Sequence, residues 1–309
     1  MIKNRLLIII VGLASIFLMY WYVLAQEEKP EYKVDYVQEV KLINIFVSVT
    51  DGQNNFVNNL KKEDFTVKED GKPQKITHFS LEVPPLVVLL LLDASASMLE
   101  ELTRDMRKAD IAKNAALEFI DRIRKEDKCG IITIEDYAYQ SSAFPADIFA
   151  IKKELLFFEP QQKNTALYDA IYLAAETLKS YKTERKVIVI FSDGLDSASR
   201  VKYEEAMNAV IARDISIYGY VTAKLSDSTA LRGYATLEIL SKESGGKIIA
   251  PSTIGETAKK AKELENELFN VYSIAYEPPK LQKRGKYHKI EVALKTKGAT
   301  LRYKRAYIE

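Results

Sequence analysis

The chain has 309 residues, 47% hydrophobic and 28% charged, a globular composition with room for one large domain and a smaller one. A net charge of +2 leaves no basic footprint for nucleic acid. Two histidines (His78, His288) and one cysteine (Cys129) exclude an intrachain disulfide and a Cys/His zinc site, and no glycine-rich phosphate or dinucleotide loop occurs.

Met1 to Arg5 carries two positive charges, and residues 6–25 are free of charge and mostly apolar. Tyr20-Trp21-Tyr22 suits a membrane interface, and Val23-Leu24-Ala25 resembles a small-residue cleavage site. Residues 1–25 therefore read as a signal peptide or as an N-terminal membrane anchor, since 20 apolar residues can span a bilayer. Either reading places Gln26 onward outside the cytoplasm: periplasmic, secreted or held at the membrane by residues 6–25. Residues 26–36, polar and containing Pro30, read as a linker.

Residues 37–84 have β character. Val40–Thr50, Phe65–Gly71 and Gln74–Leu81 read as strands, and Asp51-Gly52 and Asp70-Gly71 as the turns of antiparallel hairpins. From Val87 strands alternate with helices, which implies crossovers and a mostly parallel sheet. Val87–Leu92 is an unbroken apolar run after Pro84-Pro85, the pattern of a central strand buried on both faces. Further strands are expected over Cys129–Ile134, Tyr139–Phe144 (an edge), Lys186–Phe191, Ile215–Val221 and Lys247–Ala250. Helices are expected over Glu100–Lys125, Ile148–Phe157, Leu167–Tyr181, Tyr203–Arg213, Leu231–Ser244 and Glu256–Asn270. Cys129, inside an apolar run, reads as a small core residue.

After Asn270 the β pattern returns, over Val271–Tyr276, Tyr287–Leu294 and Thr300–Tyr307. The N-terminal and C-terminal strands would each leave a sheet face bare, so they are expected to join in one small antiparallel β-sandwich. The fold is thus α/β, a doubly wound, mostly parallel sheet over residues 85–270, inserted between the sandwich halves 37–84 and 271–309.

The candidate site lies where the central strand ends. Asp93, Ser95 and Ser97 leave that strand at alternate positions, and ligands bind open α/β sheets at the carboxyl ends of their strands. Thr165 precedes a helix, and Asp193 follows the Lys186–Phe191 strand, with Gly194 giving the backbone room to turn. Together they offer five oxygen donors, two of them carboxylates, a hard set suited to Mg²⁺ or Mn²⁺. Water would complete the coordination, with one position open to an acidic side chain of a protein partner.

Asp93-Ala-Ser-Ala-Ser97, then Thr165, then Ser192-Asp193-Gly194 resembles the metal-ion-dependent adhesion site of von Willebrand factor A-type domains. Thr165-Ala-Leu-Tyr-Asp-Ala-Ile171 and Ser244-Gly-Gly246 are similar to that family too. Segments 49–56 and 62–73 resemble the stretch before such domains in exported bacterial proteins. The resemblance covers about residues 85–270. It implies that Asp93, Ser95, Ser97 and Thr165 bind the ion directly or through water, that Asp193 is a close or water-mediated ligand, and that the protein is an adhesion or interaction module rather than an enzyme. Lys163-Asn164 stand where the family often has two glycines, and are candidate contacts for an acidic partner. Asp169 reads as a structural acceptor.

Two other readings compete. One is a scaffold with a vestigial site, its contacts made by the β domain or the Glu256–Asn270 helix. The other is an Mg²⁺-dependent phosphotransferase with Asp93 as nucleophile. Such phosphatases place a second Asp two residues on, where this chain has Ser95.

Overall fold

The computed structural model describes residues 42–308 other than 104–105, 162, 183, 224–227, 252–253, 280–284 and 296–297. The expected signal or anchor segment 1–25 and the linker 26–36 lie outside the described residues. The β stretches form β1 (Ile43–Thr50), β2 (Phe65–Glu69), β3 (Lys72–Gln74) and β4 (Ile76–Ser80) at one end. At the other end they form β13 (Tyr272–Tyr276), β14 (Tyr287–Leu294), β15 (Thr300–Arg302) and β16 (Ala306–Ile308), numbered in chain order. These strands interleave in two antiparallel sheets, β15-β1-β13-β4 and β16-β14-β2-β3. Ile45, Val47 and Ile274 from the first sheet share a core with Val67, Ile290 and Tyr307 from the second. Buried Glu69 ties the sheets together, accepting hydrogen bonds from Tyr276 Oη (2.7 Å) and Tyr307 Oη (3.1 Å). Burial alternates along β14 and along the first half of β1, placing one face of each in that core, while Val47–Thr50 is buried throughout.

Three expectations about these strands are corrected. The stretches Gln74–Leu81 and Thr300–Tyr307 are each two strands, because the chain passes from one sheet to the other at Lys75 and at Tyr303–Arg305. The period-two pattern runs on across the crossing while the pairing partner changes, so periodicity alone does not reveal the break. Asp51-Gly52 closes no hairpin with β2, since β1 and β2 lie in opposite sheets. The hairpin that forms is β2–β3, with Asp70 (φ 49°) and Gly71 (φ 78°) both in the left-handed region its two-residue turn requires.

Between the two halves runs the larger sheet. Its parallel strands are β5 (Leu86–Asp93), β8 (Lys128–Ile134), β10 (Arg185–Ser192), β11 (Ile215–Val221) and β12 (Ile248–Ile249). The antiparallel edge is β9 (Ala138–Gln140), and the order is β12-β11-β10-β5-β8-β9. Helices α1 (Lys108–Ile120), α2 (Ile148–Leu156) and α6 (Thr257–Phe269) cover one face through Ala112, Phe119, Ile151, Leu155 and Leu264. The opposite face is covered by α3 (Leu167–Leu178), α4 (Tyr203–Ala212) and α5 (Ser228–Ser244), through Ile171, Ala175, Val210 and Leu237. Every residue of β5 is buried, as a strand flanked by strands and covered by two helix layers must be. After β5 the chain goes to β8 and β9 on one side, then returns to β10 and β11 on the other. The switch point therefore falls between β5 and β10, where α/β sheets open a crevice.

The helix expected from Glu100 begins only at Lys108. Residues Ala96–Leu99 form a 3-10 turn, and β6 (Glu101–Thr103) with β7 (Met106–Arg107) forms a small hairpin. Asp110 fixes the helix start: its Oδ2 accepts the Arg107 backbone N–H at 3.0 Å, the return half of a capping box. Cys129 is buried in β8, and burial pushes its thiol up to about 12, which leaves it an inert core residue.

Candidate functional site

The end of β5 carries Asp93, which is fully buried. Its Oδ1 accepts the Ser95 N–H at 3.0 Å, and its Oδ2 accepts the Ser192 hydroxyl at 2.6 Å. The first bond folds the chain into a tight turn that brings Ser95 and Ser97 together, their Oγ atoms 3.2 Å apart. The second joins the ends of β5 and β10 across the switch point. Ser192 Oγ in turn accepts the Gly194 N–H at 2.9 Å, so one serine sets both the Asp93 carboxylate and the turn after β10.

Asp193 follows Ser192 and is almost wholly buried. The chain can turn there because Gly194 adopts φ 85°, and because helix α5 presents Gly233 to the same turn. A Cβ on Gly233 would stand 2.1 Å from the Asp193 carbonyl oxygen, and one on Gly194 would stand 2.2 Å from that of Gly233. Backbone-to-backbone packing at this distance admits only glycine on both sides.

The third loop is held against the first. Ala96 N–H donates to Lys163 O (2.9 Å) and Gln161 N–H to Ala94 O (2.7 Å). Thr165 is buried, and its N–H donates to Ser197 Oγ at 3.1 Å. Its carbonyl accepts the N–H groups of Ser197 and Ala198, tying this loop to the one after Asp193. The three loops are thus laced together by main-chain bonds. Lys163 and Asn164 both turn to Asp136: Lys163 Nζ is 3.6 Å from Asp136 Oδ2, while Asn164 N and Nδ2 each donate to Oδ1 at 2.9 Å. Asp169, in the first turn of α3, is a structural acceptor for the loop before α4, taking the N–H groups of Arg200 (2.9 Å) and Val201 (2.8 Å).

Three contributors are not legible in the sequence. Ser192 reads there as part of a motif, not as the hydrogen-bond donor that orients Asp93. Asp196 caps α3 from a distant loop, accepting the N–H of Leu167 at 2.9 Å. Lys108, the first residue of α1, places Nζ 3.1 Å from Asp193 Oδ2 and 2.7 Å from Glu100 Oε2. Burial works against its ammonium, but hydrogen bonds to Glu100 and Asp193 outweigh that and raise its pKa. Capping from a remote loop and a charge returned by a hairpin leave no local pattern to find.

The electrostatics favour a cation. Burial first, and then the neighbouring Asp193 carboxylate, push Asp93 up to about 6, although hydrogen bonds from Ser192 and Ser95 work to lower it. Two buried like charges at adjoining strand ends are costly unless a positive charge joins them. The hydroxyls of Ser95, Ser97 and Thr165 add neutral oxygen donors, so the set fits a hard divalent ion. Beside it opens a cleft of about 450 Å³ lined by Ser97, Glu100, Leu102, Lys108, Asp193 and Thr229, among others. A second group, Glu69, Asp70 and His288, has ligand-type atoms within 4.8 Å of one another. There His288 Nδ1 lies 3.0 Å from Asp70 Oδ2 and Glu69 takes two tyrosine hydroxyls, contacts that brace the sandwich.

Residues 88–195 match the family model of the von Willebrand factor type A domain. Among curated proteins none matches the chain. The mussel-byssus proximal thread matrix protein 1, solved with a zinc-occupied MIDAS motif, is similar in fold. The two are 15% identical with a TM-score of 0.51, over 66% of this chain and 50% of that one. An aerotolerance-related membrane protein from Bacteroides fragilis is 20% identical, with a TM-score of 0.46 over 59% of this chain and 98% of its own. A von Willebrand factor type A structure from Catenulispora acidiphila is 11% identical, with a TM-score of 0.48 over 88% of this chain and 74% of its own. The family match spans β5, the site loops and β10, the centre of a doubly wound sheet, and on that ground the chain carries a von Willebrand factor type A domain.

Proposed function

We propose that this chain is an extracytoplasmic interaction protein that captures a protein partner through a divalent cation, Mg²⁺ or Mn²⁺. Asp93, Ser95, Ser97, Thr165 and Asp193 would hold the ion. The ion would supply a coordination position for an acidic side chain of the partner. One observation carries the reading: two buried carboxylates, Asp93 and Asp193, converge with hydroxyl donors at the switch point of the sheet. Ser192 and the Asp93–Ser95 turn fix the Asp93 carboxylate before any ligand arrives, so little ordering remains to oppose binding. In this reading residues 85–270 are the binding module, while 37–84 and 271–309 form the support that presents it. The extracytoplasmic placing rests on the charge and apolar pattern of residues 1–25. Among the described residues no helix is long and apolar enough to cross a membrane.

A second reading is the scaffold with a vestigial site, favoured by the Lys108 ammonium that already meets Asp193. Calorimetric titration of Mg²⁺ and Mn²⁺ into the full chain, beside Asp93→Ala and Asp193→Ala, separates the two. Saturable one-to-one binding that both substitutions remove supports the cation reading. Equal heats in wild type and both variants would sink it.

A further inference from the structure

We propose that Lys108 is a built-in competitor of the cation, and that Glu100 is the alternative partner that takes the lysine when an ion binds. The proposal rests on the cation reading above. The chain leaves the site at Ser97, turns out through the hairpin β6–β7, and comes back with Lys108. The return is fixed by backbone, since Lys108 N–H donates to Glu100 O at 2.9 Å. It is fixed also by Arg107, whose guanidinium joins Asp110 (2.9 Å) and Glu159 (3.0 Å). The lysine then bridges two carboxylates of different kinds. Asp193 is buried and belongs to the site, and Glu100 is exposed at the mouth of the cleft.

Local preference opposes a lysine at this point. The first position of a helix faces the positive end of the helix dipole, where acidic residues are favoured and cations are not. Asp193 and Glu100 are what make the position acceptable. Held at 3.1 Å from Asp193, with little of its side chain exposed, the ammonium neutralises one of the two charges a divalent ion needs. An ion entering the same set must overcome the repulsion of a unit positive charge in a poorly solvated place. Glu100 lowers that barrier by offering the displaced lysine a carboxylate it already touches at 2.7 Å. Cation affinity is therefore set by a contest between Asp193 and Glu100 for one side chain. A partner that engages Glu100 would return Lys108 to Asp193 and loosen the ion.

The test is titration of Mn²⁺ into the full chain in detergent, wild type beside Lys108→Met, Lys108→Gln, Glu100→Gln and the double variant Lys108→Met/Glu100→Gln. Both Lys108 variants should bind about tenfold tighter, the factor expected for removing one partly buried charge. Glu100→Gln should bind several-fold weaker alone and should change nothing on the Lys108→Met background, since it acts through the lysine. Thermal unfolding supplies a second readout. The Lys108→Met variant should melt below wild type in chelator, where Asp193 has lost its counter-ion, and at least level with it in saturating Mn²⁺. A purely structural lysine would lower both melting temperatures alike, and that result overturns the proposal. Wild-type binding left unchanged or weakened by Lys108→Met also overturns it while the cation reading survives. Binding in Lys108→Met but not in wild type supports it in its strongest form. No binding in either removes the cation reading itself, and the proposal with it.

Discussion

Replacing Asp93 with asparagine separates the cost of the bare site from its use. In the folded chain Asp93 has its pKa raised from 3.8 to about 6 by burial and by Asp193. A carboxyl whose pKa is higher folded than unfolded binds its proton more tightly in the native state. Above about pH 6 its ionised form therefore subtracts from stability, and the penalty fades as pH falls from about 6 towards 3.8. The difference corresponds to about 3 kcal/mol at pH 7. The asparagine side chain would keep an acceptor for the Ser95 N–H but lose the oxygen that takes the Ser192 hydroxyl, which costs about 1 kcal/mol as a neutral hydrogen bond. Asp93→Asn should therefore gain about 2 kcal/mol in chelator at pH 7, a rise of roughly 4–8 °C in melting temperature for a domain of this size. In saturating Mg²⁺ the order should reverse, because the ion stabilises only the chain that binds it. Differential scanning fluorimetry with and without chelator reads both arms. An Asp93→Asn protein less stable than wild type in chelator would refute the argument that the buried carboxylate is a strained charge. Equal Mg²⁺ stabilisation of both chains would refute its role as a ligand.

Cation affinity should fall as pH drops through about 6, where Asp93 takes up its proton, and stay level above pH 7, as Mn²⁺ titrations at a series of pH values would show. Gly233→Ala should destabilise the chain by about 2–4 kcal/mol in chemical unfolding and weaken cation binding. Its Cβ would press to 2.1 Å on the Asp193 carbonyl, and either α5 or the ligand loop must yield. Asp196→Ala removes the acceptor at the start of α3 and should lose about 1–2 kcal/mol, measured by urea unfolding, with the metal donors intact. Glu69→Gln should lower stability without touching cation affinity, since Glu69 braces the sandwich through Tyr276 and Tyr307.

Much of this protein could be read from the chain itself. The run Val87–Leu92 has no polar side chain, so it had to be a strand enclosed on both faces, and the oxygen donors that follow it had to emerge at a sheet edge. Helices with an apolar stripe alternating with such strands left a doubly wound sheet as the simplest solution, and Asp93, Ser95, Ser97, Thr165 and Asp193 fell at its loops. These features are local: each depends on side-chain periodicity or on the residue types within a few positions. Tertiary structure decided what depends on partners distant in sequence. Strands β3–β4 and β15–β16 switch sheets in mid-pattern because period two is the same in either sheet. Strands β6 and β7 pair where a helix was expected, and the helix starts only at Lys108, where Asp110 caps it. Ser192 reaches Asp93 across 99 positions, Gly233 makes room for Asp193 from another helix, and Lys108 meets Asp193 only because a hairpin folds it back. Charge and close approach act through space, so the position of these oxygen-bearing residues at the strand ends could be read from the sequence, while the contacts that Ser192, Gly233 and Lys108 make with Asp93 and Asp193 became visible only once the loops were laid side by side.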